Sequence, residues 1–301
     1  MILFGFEPYT KIALALGNAV WQLQPGTFRV ARFENGELHA HVTTPVVGQH
    51  CVVLGSIAPP DEQLLSCSLL IHTLKKEGAS QVSAVFPYLG YARHDKDQPG
   101  QSLATAWAGS LVKASGCDRL ITVDVHSEES KRLFSVPIVS LSPAGVFAEA
   151  ISRCDLTAAT IVAPDEGAIG RCEAVRAAAG MSPSKIPYFK KHRTETGITH
   201  AGPIGDVGRE AVIIDDILDT GSTLVSACEN LSLAGVDEIS VMVTHGLFTG
   251  ARWKDLYRLG VRRIFCTDSV PLPAGVDRRS IVRLSITPLL AQELLALDET
   301  S

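Results

Sequence analysis

The stretch Ala211-Val-Ile-Ile-Asp-Asp-Ile-Leu-Asp-Thr-Gly-Ser-Thr223 carries the densest chemistry in the chain. An apolar run leads straight into Asp215-Asp216. A third acid, Asp219, follows, and then Thr220, Gly221, Ser222 and Thr223. Adjacent carboxylates repel each other and lose solvation when buried, so a ligand or counter-charge must offset them. A strand that feeds a small-residue turn and then a helix offers free backbone N–H groups at the helix start. That is an anion site suited to a phosphate monoester. Gly221 permits close backbone approach, while Thr220, Ser222 and Thr223 add hydroxyl donors. Asp215 and Asp216 then lie where open α/β sheets bind ligands, placed to accept hydrogen bonds from sugar hydroxyls or to hold Mg²⁺ through water. An N-capped helix at a solvated strand end would explain a hydroxyl at 222 or 223, but not three acids.

The rest of the chain must position that loop. It has 301 residues, 46% apolar and 20% charged, which fits a globular protein with a full core and about two domains. No apolar run reaches transmembrane length. The N-terminal Met1-Ile2-Leu3-Phe4-Gly5-Phe6-Glu7 lacks the basic start of a signal peptide, so none is expected. The formal charge of −5 gives no reason to expect nucleic acid or membrane as a partner. Seven widely spaced cysteines, without a Cys-x-x-Cys pair, read as buried small hydrophobes in a reducing cytoplasm.

Short apolar runs alternate with helical patterns. Strands are expected at Cys51–Leu54, Gln81–Phe86, Leu120–Val123, Thr160–Ala163, Val212–Ile214, Ile239–Val243, Arg263–Cys266 and Ile281–Leu284. Helices are expected at Asp61–Glu77, Ser102–Ser115 and Ser222–Ala234, each meeting a glycine just past its end. This order predicts α/β units with mostly parallel sheets. A weak repeat supports two related halves. VFPYLGYAR (85–93) parallels VAPDEGAIGR (162–171), and LITVDVHS (120–127) parallels VIIDDILDTGS (212–222). The boundary is placed at 142/143, giving domains 1–142 and 143–286. The apolar helix at the C-terminus (287–301) is expected to pack back on the first.

Other polar stretches are less specific by themselves. Arg93 in GYARHDK suits polyphosphate oxygens or stacking on a base, and equally suits a charged surface loop. FENGE (33–37) reads as a hairpin turn through Asn35-Gly36. His126 follows a strand that ends near Asp124. FKKHRTETGITHAGPIGDVG (189–208) reads as a long polar loop, either a mobile surface segment or a lid over a site.

VIIDDILDTGST resembles the ribose-5-phosphate loop of type I phosphoribosyltransferase-fold proteins. Over nearly its whole length the chain resembles the ribose-phosphate pyrophosphokinase (phosphoribosyl-pyrophosphate, PRPP, synthetase) family within that group. The resemblance rests on FENGE, PYLGYARHDK (87–96), VDVHS (123–127), PDEGA (164–168), KKHR (190–193), the acid loop and TDSVP (267–271), in the family's order. It implies an α/β fold of two tandem type I phosphoribosyltransferase-like domains, each a mostly parallel sheet flanked by helices. The implied reaction moves the diphosphate of ATP onto the 1-hydroxyl of ribose 5-phosphate, with Mg²⁺, giving PRPP and AMP. ATP contacts are implied for Phe33, Asn35, Glu37, Arg93, His94 and Asp95, with the 33–37 loop reaching into a neighbouring subunit. His94 stands where the family usually has glutamine, and Asn35 where it usually has aspartate. His126 and Asp165 are implied at the metal. Asp215, Asp216, Asp219, Thr220, Gly221, Ser222 and Thr223 would bind ribose 5-phosphate. Lys191 and Arg193 would be catalytic, with Lys190 an off-by-one competitor for the lysine role. Family members form homo-oligomers, dimers within larger rings that are commonly hexamers. Two alternatives share parts of the pattern: a phosphoribosyltransferase that consumes PRPP, and a non-catalytic regulatory paralogue.

Overall fold

A computed structural model describes residues 1–194, 197–277 and 279–298, with the backbone alone at 191–194, 197–201 and 298. The chain divides into two compact units, Met1–Leu141 with Thr287–Ser301, and Ser142–Ile286.

The first unit contains β1 (Ile2–Gly5), α1 (Thr10–Ala19), β2 (Gln24–Pro25), β3 (Phe28–Arg32), β4 (Leu38–Val42), β5 (His50–Leu54), α2 (Glu62–Lys76), β6 (Gln81–Val85), α3 (Ala104–Ala114), β7 (Arg119–Val123), α4 (Glu128–Leu133) and β8 (Ile138–Leu141). Its six-stranded sheet runs β2-β1-β5-β6-β7-β8, every pairing parallel. Buried Cys51, Val53, Val82, Ala84 and Leu120 pack in one cluster with Leu64, Cys67, Ile71 and Leu74 of α2. The helix residues recur at three- and four-residue intervals and the strand residues at alternate positions, so one helical stripe covers one sheet face. Val52, Leu54, Val85 and Ile121 are fully buried too. A parallel sheet covered on both faces reads as continuous apolar runs, as these strands do. β3 and β4 form a separate antiparallel hairpin.

The second unit contains α5 (Ala144–Arg153), β9 (Thr160–Val162), α6 (Ile169–Ala178), β10 (Tyr188–Thr194), β11 (Gly197–Ile204), β12 (Glu210–Leu218), α7 (Ser222–Leu233), β13 (Glu238–Gly246), α8 (Asp255–Arg258), β14 (Val261–Thr267) and β15 (Ile281–Leu284). Its five-stranded sheet runs β15-β14-β13-β12-β9, again parallel throughout. Ile213, Val241 and Ile264 join a cluster with Leu224, Cys228 and Leu231 of α7. Their neighbours Val212, Ile214, Met242 and Phe265 join another with Ile151 of α5 and Val175 of α6. Successive strand residues thus serve opposite faces, and helices cover both.

Every strand and helix expected above is present, several a residue or two different in length. Two differences bear on function. The strand expected at Val212–Ile214 runs on to Leu218, pairing Ile217 with His245 and Leu218 with Gly246. The paired acids therefore lie inside β12, not beyond its end. The segment expected to be a long loop forms an antiparallel ladder, β10 with β11, in which Lys191 pairs with His200 and Arg193 with Ile198. No helix among the described residues is long and apolar enough to cross a membrane.

The last helix, α9 (Thr287–Asp298), belongs to the first unit and packs on α1. Leu16 of α1 and Leu290 and Leu294 of α9 are fully buried. Leu290→Ala is expected to destabilise the protein by about 2–5 kcal/mol, the range for emptying a buried leucine site. The check is the urea midpoint, and an unchanged midpoint would mean that α9 is not docked there.

Candidate active site

In the second unit, β12 delivers Asp215 and Asp216 at its C-terminal end, and three residues carry the chain to α7. Gly221 takes a left-handed φ of 89° just before the helix. A Cβ there would also come within 2.6 Å of the Trp253 Cα, so conformation and space both demand glycine. The Gly221 carbonyl accepts the first helical bond, from Val225 N–H at 2.8 Å. Among the described residues no side chain caps the start of α7. The N–H groups of its first turn can therefore face water or a ligand, in a position that favours an anion. Thr220 and Ser222 hydroxyls lie 3.2 Å apart beside them.

Behind this loop sits a group of charged side chains. The side chains of Asp215 and Asp216 are only 14% and 9% exposed. Arg171, from the first turn of α6, reaches Asp215 at 4.0 Å and Asp216 at 3.9 Å. The Asp216 N–H also donates to Asp215 Oδ1 at 2.9 Å. The Arg171 guanidinium thus lies at ion-pair range of both carboxylates. Burial pushes the Asp215 carboxyl well above the usual carboxylate range. The negative Asp216 adds to that, Arg171 opposes it, and Asp165 contributes a smaller upward push. Arg171 was visible in the sequence only as the last residue of a repeat. Its pairing with Asp215 and Asp216 is long-range and has no local signature, and the support of Gly221 by Trp253 is equally silent.

Asp165 lies at the turn after β9, and residues 166–168 form a single tight helical turn. β10 meets that turn and β11 runs against α7. The backbone of Lys191 and Arg193 is thus built into a hairpin packed on the same loop-and-helix unit. Their side chains lie outside the described residues.

In the first unit the expected ATP contacts fall in two places. Phe33, Asn35 and Glu37 form the tip of the β3–β4 hairpin, as the Asn-Gly signal implied. Asn35 Oδ1 accepts from Glu37 N–H at 3.1 Å, and its amide donates to Glu37 Oε2 at 3.0 Å. Phe33 is 56% exposed and stacks on His39 with ring centroids 4.3 Å apart. An Arg32–Glu62 ion pair of 2.8 Å ties the hairpin to α2.

Arg93 and His94 are exposed on the loop before α3. Thr105 of α3 fastens that loop, its hydroxyl lying 2.8 Å from the Tyr91 carbonyl and 2.9 Å from that of His94. Asp95 differs from its neighbours. It is buried and accepts the Ser127 hydroxyl. Ser127 in turn N-caps α4, accepting from Ser130 N–H at 3.0 Å, and Ser130 donates to the Ala92 carbonyl at 2.6 Å. Asp95 thus locks the 91–95 loop to the turn that bears exposed His126. His126 and Asp165 belong to different units. Among the described residues no group of three or more His, Cys, Asp or Glu side chains is gathered to hold a metal unaided.

Comparison with known proteins decides the family. Residues 1–116 match the N-terminal domain of ribose phosphate pyrophosphokinase, and residues 174–296 match the phosphoribosyl synthetase-associated domain. The ribose-phosphate pyrophosphokinase of Bifidobacterium longum is 32% identical over 274 residues, covering 89% of this chain and 81% of that one. The chain belongs to the ribose-phosphate pyrophosphokinase family. The Bacillus caldolyticus family member is 28% identical over 301 residues, covering 99% and 94% of the two chains. The crystal structure of phosphoribosylpyrophosphate synthetase from Mycobacterium smegmatis superposes with a TM-score of 0.87 at 25% identity, covering 100% and 99%. The reaction is that of this family, in which the β,γ-diphosphate of ATP passes to the 1-hydroxyl of ribose 5-phosphate, giving PRPP and AMP. The PRPP-consuming phosphoribosyltransferase shares the acid loop but does not account for the match over 1–116.

The raised Asp215 carboxyl has a measurable consequence without ligand. Because Asp215 holds its proton more tightly in the folded state, its stabilising contribution is complete below the ordinary carboxylate range. It is lost as pH rises through the raised value. Asp215→Asn removes the titrating group and keeps a neutral side chain of similar shape. The ligand-free variant should match wild type in Tm near about pH 4 and exceed it increasingly toward about pH 8. Parallel Tm curves for the two proteins would contradict this charge assignment.

Proposed function

We propose that ribose 5-phosphate binds in the second unit, its 5-phosphate on the first-turn amides of α7 and its 2- and 3-hydroxyls on Asp215 and Asp216. The observation that carries this reading is the uncapped start of α7 behind a glycine that admits no side chain. Two carboxylates at ion-pair range of Arg171 adjoin it. Diol hydroxyls are donors and suit such acceptors. Thr220, Ser222 and Thr223 add hydroxyls around the phosphate, and Asp219 closes the turn.

ATP is assigned to the first unit. Arg93 offers planar donors for phosphate oxygens, and His94 a ring nitrogen for phosphate or base. Phe33, as an exposed aromatic on a polar turn, offers a surface for adenine, with Asn35 and Glu37 beside it to read the base edge. In a homo-oligomer, at least a dimer, that tip would serve a neighbouring subunit. Asp95 supports the ATP loop by holding it to the 126–127 turn. Seven unpaired cysteines, six of them buried, suit a reducing cytoplasm.

Mg²⁺ fits the donors present. It is commonly held through one or two carboxylates, with phosphate oxygens and water completing its shell. Asp165, beside the 215–216 pair, supplies hard oxygen donors in the second unit. His126 is the candidate in the first unit for the ion carried on ATP. When bound, the ion neutralises charge on the diphosphate being transferred. The 1-hydroxyl oxygen forms a bond to the β-phosphorus and gives up its proton to solvent, the bond from that phosphorus to the bridging oxygen of AMP breaks, and AMP leaves. The residues position the partners for this in-line displacement and do not bond to them.

Lys191 and Arg193 are assigned to the charge that develops in the transition state, on a hairpin packed against α7. Lys191→Ala should lower kcat by about 10²–10³, equivalent to ~2.7–4 kcal/mol. It should leave ribose 5-phosphate affinity nearly unchanged, and equal losses in kcat and affinity would exclude the role.

The direct test of the whole reading incubates purified protein with ATP and ribose 5-phosphate and scores AMP and PRPP. Turnover should stop with EDTA and return with added Mg²⁺. Turnover unaffected by EDTA would remove the metal from the scheme.

A further inference from the structure

The turn that follows β13, residues 246–253, is not among the motifs that define the site, yet it touches the acid loop twice. Leu247 and Phe248 N–H groups donate to the Leu218 carbonyl at 2.9 and 3.0 Å. Thr249 then holds Asp219 at two points. Its N–H donates to the Asp219 carbonyl at 3.1 Å, and its hydroxyl donates to Asp219 Oδ1. Four residues on, the Trp253 backbone fills the space that a side chain at Gly221 would need.

The turn itself is stiff. Phe248 is held at a left-handed φ of 50°, a conformation that costs energy for a bulky residue. Its buried ring packs edge-on against Trp253, with centroids 4.9 Å apart. Gly246 leaves room for it, since a Cβ there would lie 2.4 Å from the Phe248 ring. One rigid turn therefore fixes the loop at its first residue and at its glycine.

We infer that Thr249 is a positioning residue for ribose 5-phosphate, clamping Asp219 so that the 220–223 amides stand ready for the phosphate. Two physical effects act together. A carboxylate next to a phosphate monoester repels it, and the hydroxyl donated to Oδ1 takes up part of that charge. A loop already ordered before binding also loses less conformational freedom when the ligand arrives. Thr249 acts only through Asp219 and touches neither the reacting atoms nor ATP. The inference rests on the reading that the 220–223 loop binds the sugar phosphate.

Thr249→Val keeps the side-chain shape and removes the hydroxyl, while Thr249→Ser restores it. In steady-state assays with each substrate varied, Thr249→Val should raise KM for ribose 5-phosphate roughly five- to tenfold, with KM for ATP and kcat within about twofold. Thr249→Ser should return KM close to wild type. Thr223→Ala, within the loop, serves as the control. If Thr223→Ala raises KM for ribose 5-phosphate and Thr249→Val does not, the clamp is refuted and the loop reading stands. If neither variant moves that KM, the loop reading fails and takes the clamp with it. Equal rises in both substrates' KM values with Thr249→Val would also refute the clamp, by showing a general structural effect.

Discussion

The pairing of Arg171 with the largely buried Asp215 and Asp216 sets the terms for the second unit. At 3.9 and 4.0 Å, Arg171 sits at ion-pair distance from Asp216 and Asp215, beyond direct hydrogen-bond range. It lowers the cost of burying the pair, whose carboxylate oxygens are acceptors that suit a ligand with several hydroxyls. The surrounding structure keeps that arrangement from relaxing. The acids lie within a strand that is paired on past them at Ile217 and Leu218. Arg171 is held on a helix whose Cys172 and Val175 are fully buried.

The phosphate end of the proposed site would work by opposite charge. Where the carboxylates offer acceptors, the uncapped start of α7 offers donors, and Gly221 brings the two within a few residues of each other. A sugar monophosphate has the matching polarity, with donor hydroxyls at one end and an acceptor phosphate at the other. The first unit shows a different economy. Its exposed groups, Arg93, His94 and His126, stand on short loops whose inner residues are tied down by Thr105, Asp95, Ser127 and Ser130. Buried polar residues there keep exposed ones in place.

Much of this was legible in the sequence because parallel sheets buried on both faces produce uninterrupted apolar runs, and helices between them carry local start and stop signals. The strands expected at 51–54, 81–86 and 239–243 were plain for that reason. The hairpin of β10 and β11 was not. Lys190-Lys191-His192-Arg193 shows no apolar alternation, because these strands form a two-stranded ladder of their own, bridged to Ala163 at Tyr188 and not inserted in the main sheet. The extent of β12 was also hidden, since propensity argues against Asp-Asp within a strand and tertiary pairing overrides it. Acids, glycine and hydroxyls announced the loop, but their partners Arg171, Thr249 and Trp253 lie far along the chain and could be found only in three dimensions. Asp95, implied as an ATP contact by the family resemblance, is buried and accepts the Ser127 hydroxyl, a tie that no local signal announces.

Where the sugar phosphate sits is the deciding point. A crystal structure with ribose 5-phosphate, Mg²⁺ and a non-hydrolysable ATP analogue tests it most directly. The phosphate oxygens should lie about 2.7–3.2 Å from the backbone nitrogens of residues 221–223, with the ribose 2- and 3-hydroxyls directed at Asp215 and Asp216. A phosphate found away from the start of α7, or a diol with no carboxylate beside it, would contradict the account.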